Sequence, residues 1–114
     1  MRYFLIVALL SIQAFANTPG KHSVALTWTE TNCPTCIFNV YRGSAAGVCS
    51  GTPTPYAIGV LTTSYTDTAV TAGQTYVYAV SAVNGGAESF CSSEAQTTVP
   101  SSPPTPTNLQ GTTN

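Results

Sequence analysis

The stretch Thr75-Tyr76-Val77-Tyr78-Ala79-Val80-Ser81-Ala82-Val83-Asn84-Gly85-Gly86 decides the fold class. Tyr76, Tyr78, Val80 and Ala82 fall on alternate positions. That is the period of a strand, whose successive side chains point to opposite faces. Asn84-Gly85-Gly86 closes the run with a hairpin signal, because tight hairpin turns need positive φ and these residue types adopt it. Residues 89–99 then read as the returning partner strand. Further back, Val24, Leu26 and Trp28 alternate with Ser23, Ala25, Thr27 and Thr29. Residues 37–42 form another strand, with Phe38 and Val40 on one face, and residues 56–60 and 64–68 are shorter candidates. Ala72-Gly73 marks a turn, and residues 43–55, rich in Gly, Ser, Thr and Pro, read as a long loop. Short strands with frequent turns and no sustained helical period imply an all-β antiparallel sandwich or small barrel. Trp28, Val40, Tyr76 and Val80 are the expected core.

Composition narrows the function. A chain of 114 residues holds one small domain. Only 3 basic and 4 acidic residues are present, 6% charged in all. A nucleic-acid reader needs clustered Lys and Arg for phosphate contacts, so that class is excluded, as is a polybasic membrane anchor. Ser and Thr together number 30, so hydroxyls hydrate the surface in place of charges. Aromatic and β-branched residues are plentiful, which is not the composition of a disordered chain.

The first 16 residues read as an export signal. Met1-Arg2 is a short basic start, Tyr3 to Leu10 is apolar, and Ala14-Phe15-Ala16 places small residues at the −3 and −1 positions of a cleavage site. Ser11 and Gln13 interrupt the run, which is shorter than the roughly 20 apolar residues of a spanning helix. The mature chain is expected to begin at Asn17, outside the cytoplasm and free of the membrane. Losing Arg2 takes the net charge from −1 to −2.

Residues 22–99 resemble the fibronectin type III domain. Val24-x-Leu26-x-Trp28 looks like that family's strand B with its buried Trp, and Phe38-Asn39-Val40-Tyr41-Arg42 looks like strand C. Residues 70–76 resemble the approach to the family's tyrosine corner, which implies that the Tyr76 hydroxyl bonds back to the backbone near the turn. Tyr76-x-Tyr78-x-Val80-x-Ala82 looks like strand F, and Glu88-Ser89 opens the last strand. The resemblance implies a fibronectin type III-like β-sandwich spanning residues 17–100, and a role in adhesion, spacing or surface display.

The family's first strand is missing. Residues 17–21 are too few for a strand and a turn, so the mature chain is expected to leave an unpaired edge beside strand B. The tail, residues 101–114, contains Pro103-Pro104-Thr105-Pro106-Thr107-Asn108-Leu109-Gln110-Gly111-Thr112, which itself looks like the family's strand A. In this family the chain leaves the last strand at the pole opposite the start of strand A. Donation of the tail to another copy, giving head-to-tail self-association, is therefore one expectation. A disordered Pro-rich tail or linker is the other.

Cys33, Cys36, Cys49 and Cys91 are an even set in an exported chain, which points to two disulfides. Three pairings are open. The favoured one joins Cys33 to Cys36 and Cys49 to Cys91, the latter restraining the long loop after strand C. Redox use of Cys33-Pro34-Thr35-Cys36 needs a helix after the first Cys, and residues 37–41 are strand-like. Zinc wants two close pairs, and here there is one.

Catalytic patterns are sparse. His22 is the single His, and no G-x-S-x-G elbow accompanies it. Glu30, Asp67, Glu88 and Glu94 are the only carboxylates, too scattered for a glycosidase pair or a calcium site. Asp67 reads as a turn residue bonded to its own backbone. No cofactor motif is present, and the chain is not expected to be an enzyme. Tyr41, Tyr56 and Phe90 fall off the inward register or near loops; they read first as ordinary sheet residues packing cross-strand, and otherwise as a candidate binding surface for a protein or a glycan. The leading expectation is a secreted, non-catalytic interaction or structural module. A carbohydrate-binding module is the alternative, and a single exposed strip of those three aromatics would favour it.

Overall fold

A computed structural model of the chain describes the backbone of residues 5–18 and all of residues 21–113. The basic start Met1-Arg2 lies outside the described residues. Eight strands follow one another: β1 (Leu5–Thr18), β2 (Lys21–Thr31), β3 (Ile37–Gly43), β4 (Ala57–Val60), β5 (Ser64–Asp67), β6 (Thr75–Asn84), β7 (Ala87–Glu88) and β8 (Ala95–Thr98). They form two antiparallel sheets, β1-β2-β5 and β4-β3-β6, with β7 and β8 both pairing the far side of β6. Among the described residues no helix is long and apolar enough to cross a membrane.

The alternation in the sequence sets the core. Val24, Leu26 and Trp28 of β2 pack against Phe38 and Val40 of β3 and Tyr78, Val80 and Ala82 of β6. All are essentially buried, and each large apolar side chain contributes about 1.5–3 kcal/mol relative to exposure. Trp28 meets the Phe38 ring edge-on, with centroids 5.4 Å apart. Tyr76 is half-buried and packs on this cluster from its margin. The β6–β7 turn places Gly85 at φ 60° and Gly86 at φ 83°, left-handed values that a side chain would strain.

The returning strand is not continuous. Residues 89–99 were expected to form one strand, but β7 ends at Glu88 and β8 begins at Ala95. Serines cause the break. Ser89 Oγ accepts from the Ala82 N–H at 2.9 Å and Ser92 Oγ accepts from the Val80 N–H at 3.1 Å, where backbone carbonyls would accept in a regular ladder. The serine N–H groups still reach β6, donating to the carbonyls of Ala82 and Val80. The backbone bulges between these anchors and resumes regular pairing at β8. Phe90, between the two serines, is left 97% exposed.

With residues 5–18 present the outer edge of β2 is occupied. In the full chain β1 lies antiparallel along it, from Leu5 opposite Thr31 to Thr18 opposite Lys21. An apolar run of this kind pairs readily with an unsatisfied row of N–H and C=O groups. The open edge expected beside strand B therefore belongs to a chain without residues 1–16. At the other terminus Val99 is fully buried, exchanging backbone hydrogen bonds with Gln74 and Gly73. Beyond it residues 101–113 are exposed and form no regular element.

Candidate functional site

Asp67 ends β5 with its side chain fully buried and joins the two sheets. Its Oδ2 accepts from Arg42 Nη1 at 2.8 Å and from the Tyr78 hydroxyl at 2.6 Å. Its Oδ1 accepts from the Tyr56 hydroxyl and the Ala69 N–H, each at 3.0 Å. The Ala69 bond is the local turn that the sequence suggests; the other three come from β3, from β6 and from the residue before β4. Arg42 and Tyr78 are cross-strand neighbours, which sets both donors on one side of the carboxylate. The Arg42 guanidinium also donates to the Ala69 carbonyl and lies over the Tyr56 ring, 4.0 Å from its centroid, and 5.1 Å from that of Tyr76. Burial alone would push the Asp67 carboxyl up, but hydrogen bonds from Tyr78, Arg42, the Ala69 N–H and Tyr56 outweigh it and hold the acid below its usual range. Burial and the bond to Asp67 push the Tyr78 phenol up. The Tyr76 hydroxyl accepts from the Thr71 N–H at 2.9 Å, closing the corner ahead of β6.

A second cluster converges on Glu88 at the end of β7. Ser81 and Tyr41 both donate to its Oε2, Tyr41 at 2.5 Å, and Asn39 adds a third bond at 3.2 Å. The Ser81 bond, then the Tyr41 bond, lowers the Glu88 pKa. Tyr41, one of the candidate surface aromatics, is 5% exposed and packs as a sheet residue. It stands on β3 outside the inter-sheet core, and the loop after β3 covers it by folding back towards the break between β7 and β8.

Two fastenings hold that loop. Cys49 is disulfide-bonded to Cys91, with Cα atoms 6.6 Å apart, and Glu94 Oε2 accepts from the N–H groups of Gly47 and Val48 at 2.8 Å each. Cys33 and Cys36 form the second disulfide, with Cα atoms 5.4 Å apart, in the turn between β2 and β3. Glu30 lies within 4.8 Å of these two sulfurs. A disulfide offers no thiolate, so the trio is not a donor set for zinc.

The folded-back loop and the break enclose a cleft of about 190 Å³, lined by Tyr41, Cys49, Pro53, Glu88, Phe90 and Cys91. Tyr41 forms its wall and Phe90 projects beside it. Tyr56 is elsewhere, 37% exposed and committed to Arg42 and Asp67. The three candidate aromatics do not form one exposed strip. His22 Nε2 sits 3.3 Å from Ser102 Oγ, where the tail leaves the domain. Sequence reasoning missed Arg42 and the depth of Asp67. A cation in register with the core-facing Phe38 and Val40, with an acid at a strand end, was the available signal.

The chain is similar to the crystal structure of an Fn3-like protein from Clostridium thermocellum. The two share 32% identity with a TM-score of 0.61, over 82% of this chain and 92% of that one. The chain belongs to the fibronectin type III-like family. The solution structure of a domain from human fibronectin type III domain containing protein 3 shares the fold at a TM-score of 0.59 and 15% identity, over 83% of this chain and 87% of that one. No protein-family model matches the chain. Seventy-eight residues are 40% identical to part of an amylopullulanase from Thermoanaerobacter thermohydrosulfuricus; the match covers 68% of this chain and 5% of that protein. In this fibronectin type III-like domain, β2, β3 and β6 are the strands whose residues resemble strands B, C and F, and β1 pairs with the outer edge of β2.

Proposed function

We propose that the chain is exported and acts as a non-catalytic interaction or spacing module. The observation that supports this best is what three of its four acid groups do. Asp67 ties the sheets together, Glu88 gathers three donors, and Glu94 holds the 43–55 loop. Each is engaged by the fold and none faces a second carboxylate across a cleft, the arrangement acid–base hydrolysis needs. Export is supported by the leader-like first 16 residues and by the joining of all four cysteines in disulfides. Cell fractionation of an expressing bacterium, with thiol alkylation of the denatured but unreduced protein, tests this. The protein is expected outside the cytoplasm and refractory to alkylation. Cytoplasmic protein with reactive thiols would overturn it.

A glycan-binding role is the second reading, favoured by the exposed Phe90 ring beside a cleft that also offers the Glu88 carboxylate and the Tyr41 ring edge. A flat aromatic face with adjacent polar groups suits a sugar ring. The similarity to a segment of an amylopullulanase makes pullulan the first ligand to try. Retarded migration in native gels containing pullulan, abolished by Phe90→Ala, is the expected result. Unchanged migration of the parent protein would remove this reading.

A further inference from the structure

We infer that removal of residues 1–16 opens the outer edge of β2 for residues 105–113 of a second copy, joining molecules head to tail. The inference rests on the export reading, because only leader removal vacates the edge.

The edge is competent to take a partner. In the full chain it pairs antiparallel with β1 at nine matched positions spanning Lys21 to Thr31. Once the leader is gone, Asn17 and Thr18 are all that remain of β1. The backbone groups of β2 that faced it then lie open along most of an 11-residue strand.

The tail is shaped as a donor. Every residue from 101 to 113 is exposed, and Leu109 is 96% exposed within residues 107–113, otherwise built of Thr, Asn, Gln and Gly. Pro103, Pro104 and Pro106 fix φ and keep the start of the tail extended, so it projects from its own body. Residues 107–113 contain no proline, so once Asn108, at φ 60° in the free tail, turns extended on docking, every backbone N–H can pair with an edge.

The exit point decides between self and neighbour. His22 Nε2 lies 3.3 Å from Ser102 Oγ, so the tail leaves beside the first residues of β2. A strand antiparallel to β2 must end there, as β1 does with Thr18 opposite Lys21. To begin at the far end, the tail would first have to run the length of β2, about 35 Å at 3.2–3.4 Å per residue. Residues 103–114 span only about 40 Å when fully stretched, so the crossing uses them up and leaves none of residues 105–113 to pair with their own β2. A neighbour stacked on the same axis presents the far end of its β2 directly to the emerging tail. The contact is β-augmentation between unlike surfaces, and it propagates as an open chain unless the rotation closes it.

The test is export of the full chain with its own leader, followed by intact mass and light scattering across a concentration series. The product is expected to lack residues 1–16 and to show a weight-average mass that rises with concentration. The double variant Gln110→Pro with Gly111→Pro removes N–H groups of both strand parities. Because the tail makes no contact there, the fold is untouched, and the variant is expected to remain at monomer mass with an unchanged melting temperature. A product that keeps residues 1–16 overturns both the export reading and the inference. A processed product that stays monomeric, or one that associates equally in the double-proline variant, overturns the inference alone and leaves the module reading in place.

Discussion

Replacing Asp67 with Asn should destabilise the domain by about 1–4 kcal/mol at neutral pH. The two Asp67 oxygens each accept two hydrogen bonds, one from an N–H and one from a tyrosine hydroxyl. Asn presents one oxygen and one NH2 group. A tyrosine hydroxyl can turn and accept from that NH2, but neither Arg42 nor the Ala69 N–H can. Whichever way the amide faces, one N–H donor meets another. An unsatisfied buried donor costs about 1–3 kcal/mol. Loss of the ion pair adds up to about 1 kcal/mol, discounted because the Arg42 side chain is 23% exposed. For a domain of this size such a change lowers the melting temperature by roughly 5–25 °C. Urea unfolding followed by the fluorescence of the single Trp28 measures it. The acid limb supplies a second readout. Asp67 is held below its unfolded pKa of about 3.9, so its contribution is complete above that value and is lost as pH falls through the lower folded value. The parent protein should weaken below about pH 4, and Asp67→Asn should show a shallower decline. A loss under about 0.5 kcal/mol, with the acid limb unchanged, would refute the bridging role of Asp67.

Cys49→Ser with Cys91→Ser should cost about 4 kcal/mol in the chain-entropy estimate for residues 42 apart, against about 1.5 kcal/mol for opening Cys33–Cys36, and paired unfolding curves of the two double variants would rank them. Tyr76→Phe should cost about 1 kcal/mol by stranding the Thr71 N–H, measured by urea denaturation, with no effect on the disulfides. Ser89→Ala with Ser92→Ala should speed amide exchange at Ala82 and Val80, whose N–H groups those hydroxyls accept; unchanged protection would mean that a carbonyl can take over.

The sandwich was legible because its two central strands alternate cleanly. Tyr78, Val80 and Ala82 on β6 and Val24, Leu26 and Trp28 on β2 face one another across the core, and Asn84-Gly85-Gly86 fixed the register of the hairpin. The cysteine count carried the expectation of two disulfides, and the structure supplies their partners. What remained hidden depends on chain segments distant in sequence. Arg42 and Asp67 are 25 residues apart and on different sheets, and only the packing of one sheet on the other brings them together, while the register of β3 against β6 sets Tyr78 beside Arg42. Tyr41 alternates outward, and nothing local reveals that the 43–55 loop returns to cover it. Ser89 and Ser92 look like ordinary strand residues. Their role as surrogate acceptors, and the consequent exposure of Phe90, follows from two hydroxyls matching two N–H groups of β6. The occupancy of the β2 edge is a property of the whole chain, whereas the sequence directs attention to the chain after Ala16.

The central claim is an exported sandwich stapled by two disulfides, and a non-reducing peptide map of the exported protein tests it most directly. The account predicts a first peptide beginning at Asn17, a linked pair containing Cys49 and Cys91, and an internal bond between Cys33 and Cys36. Free thiols, a crossed pairing or an intact first peptide beginning at Met1 would contradict it.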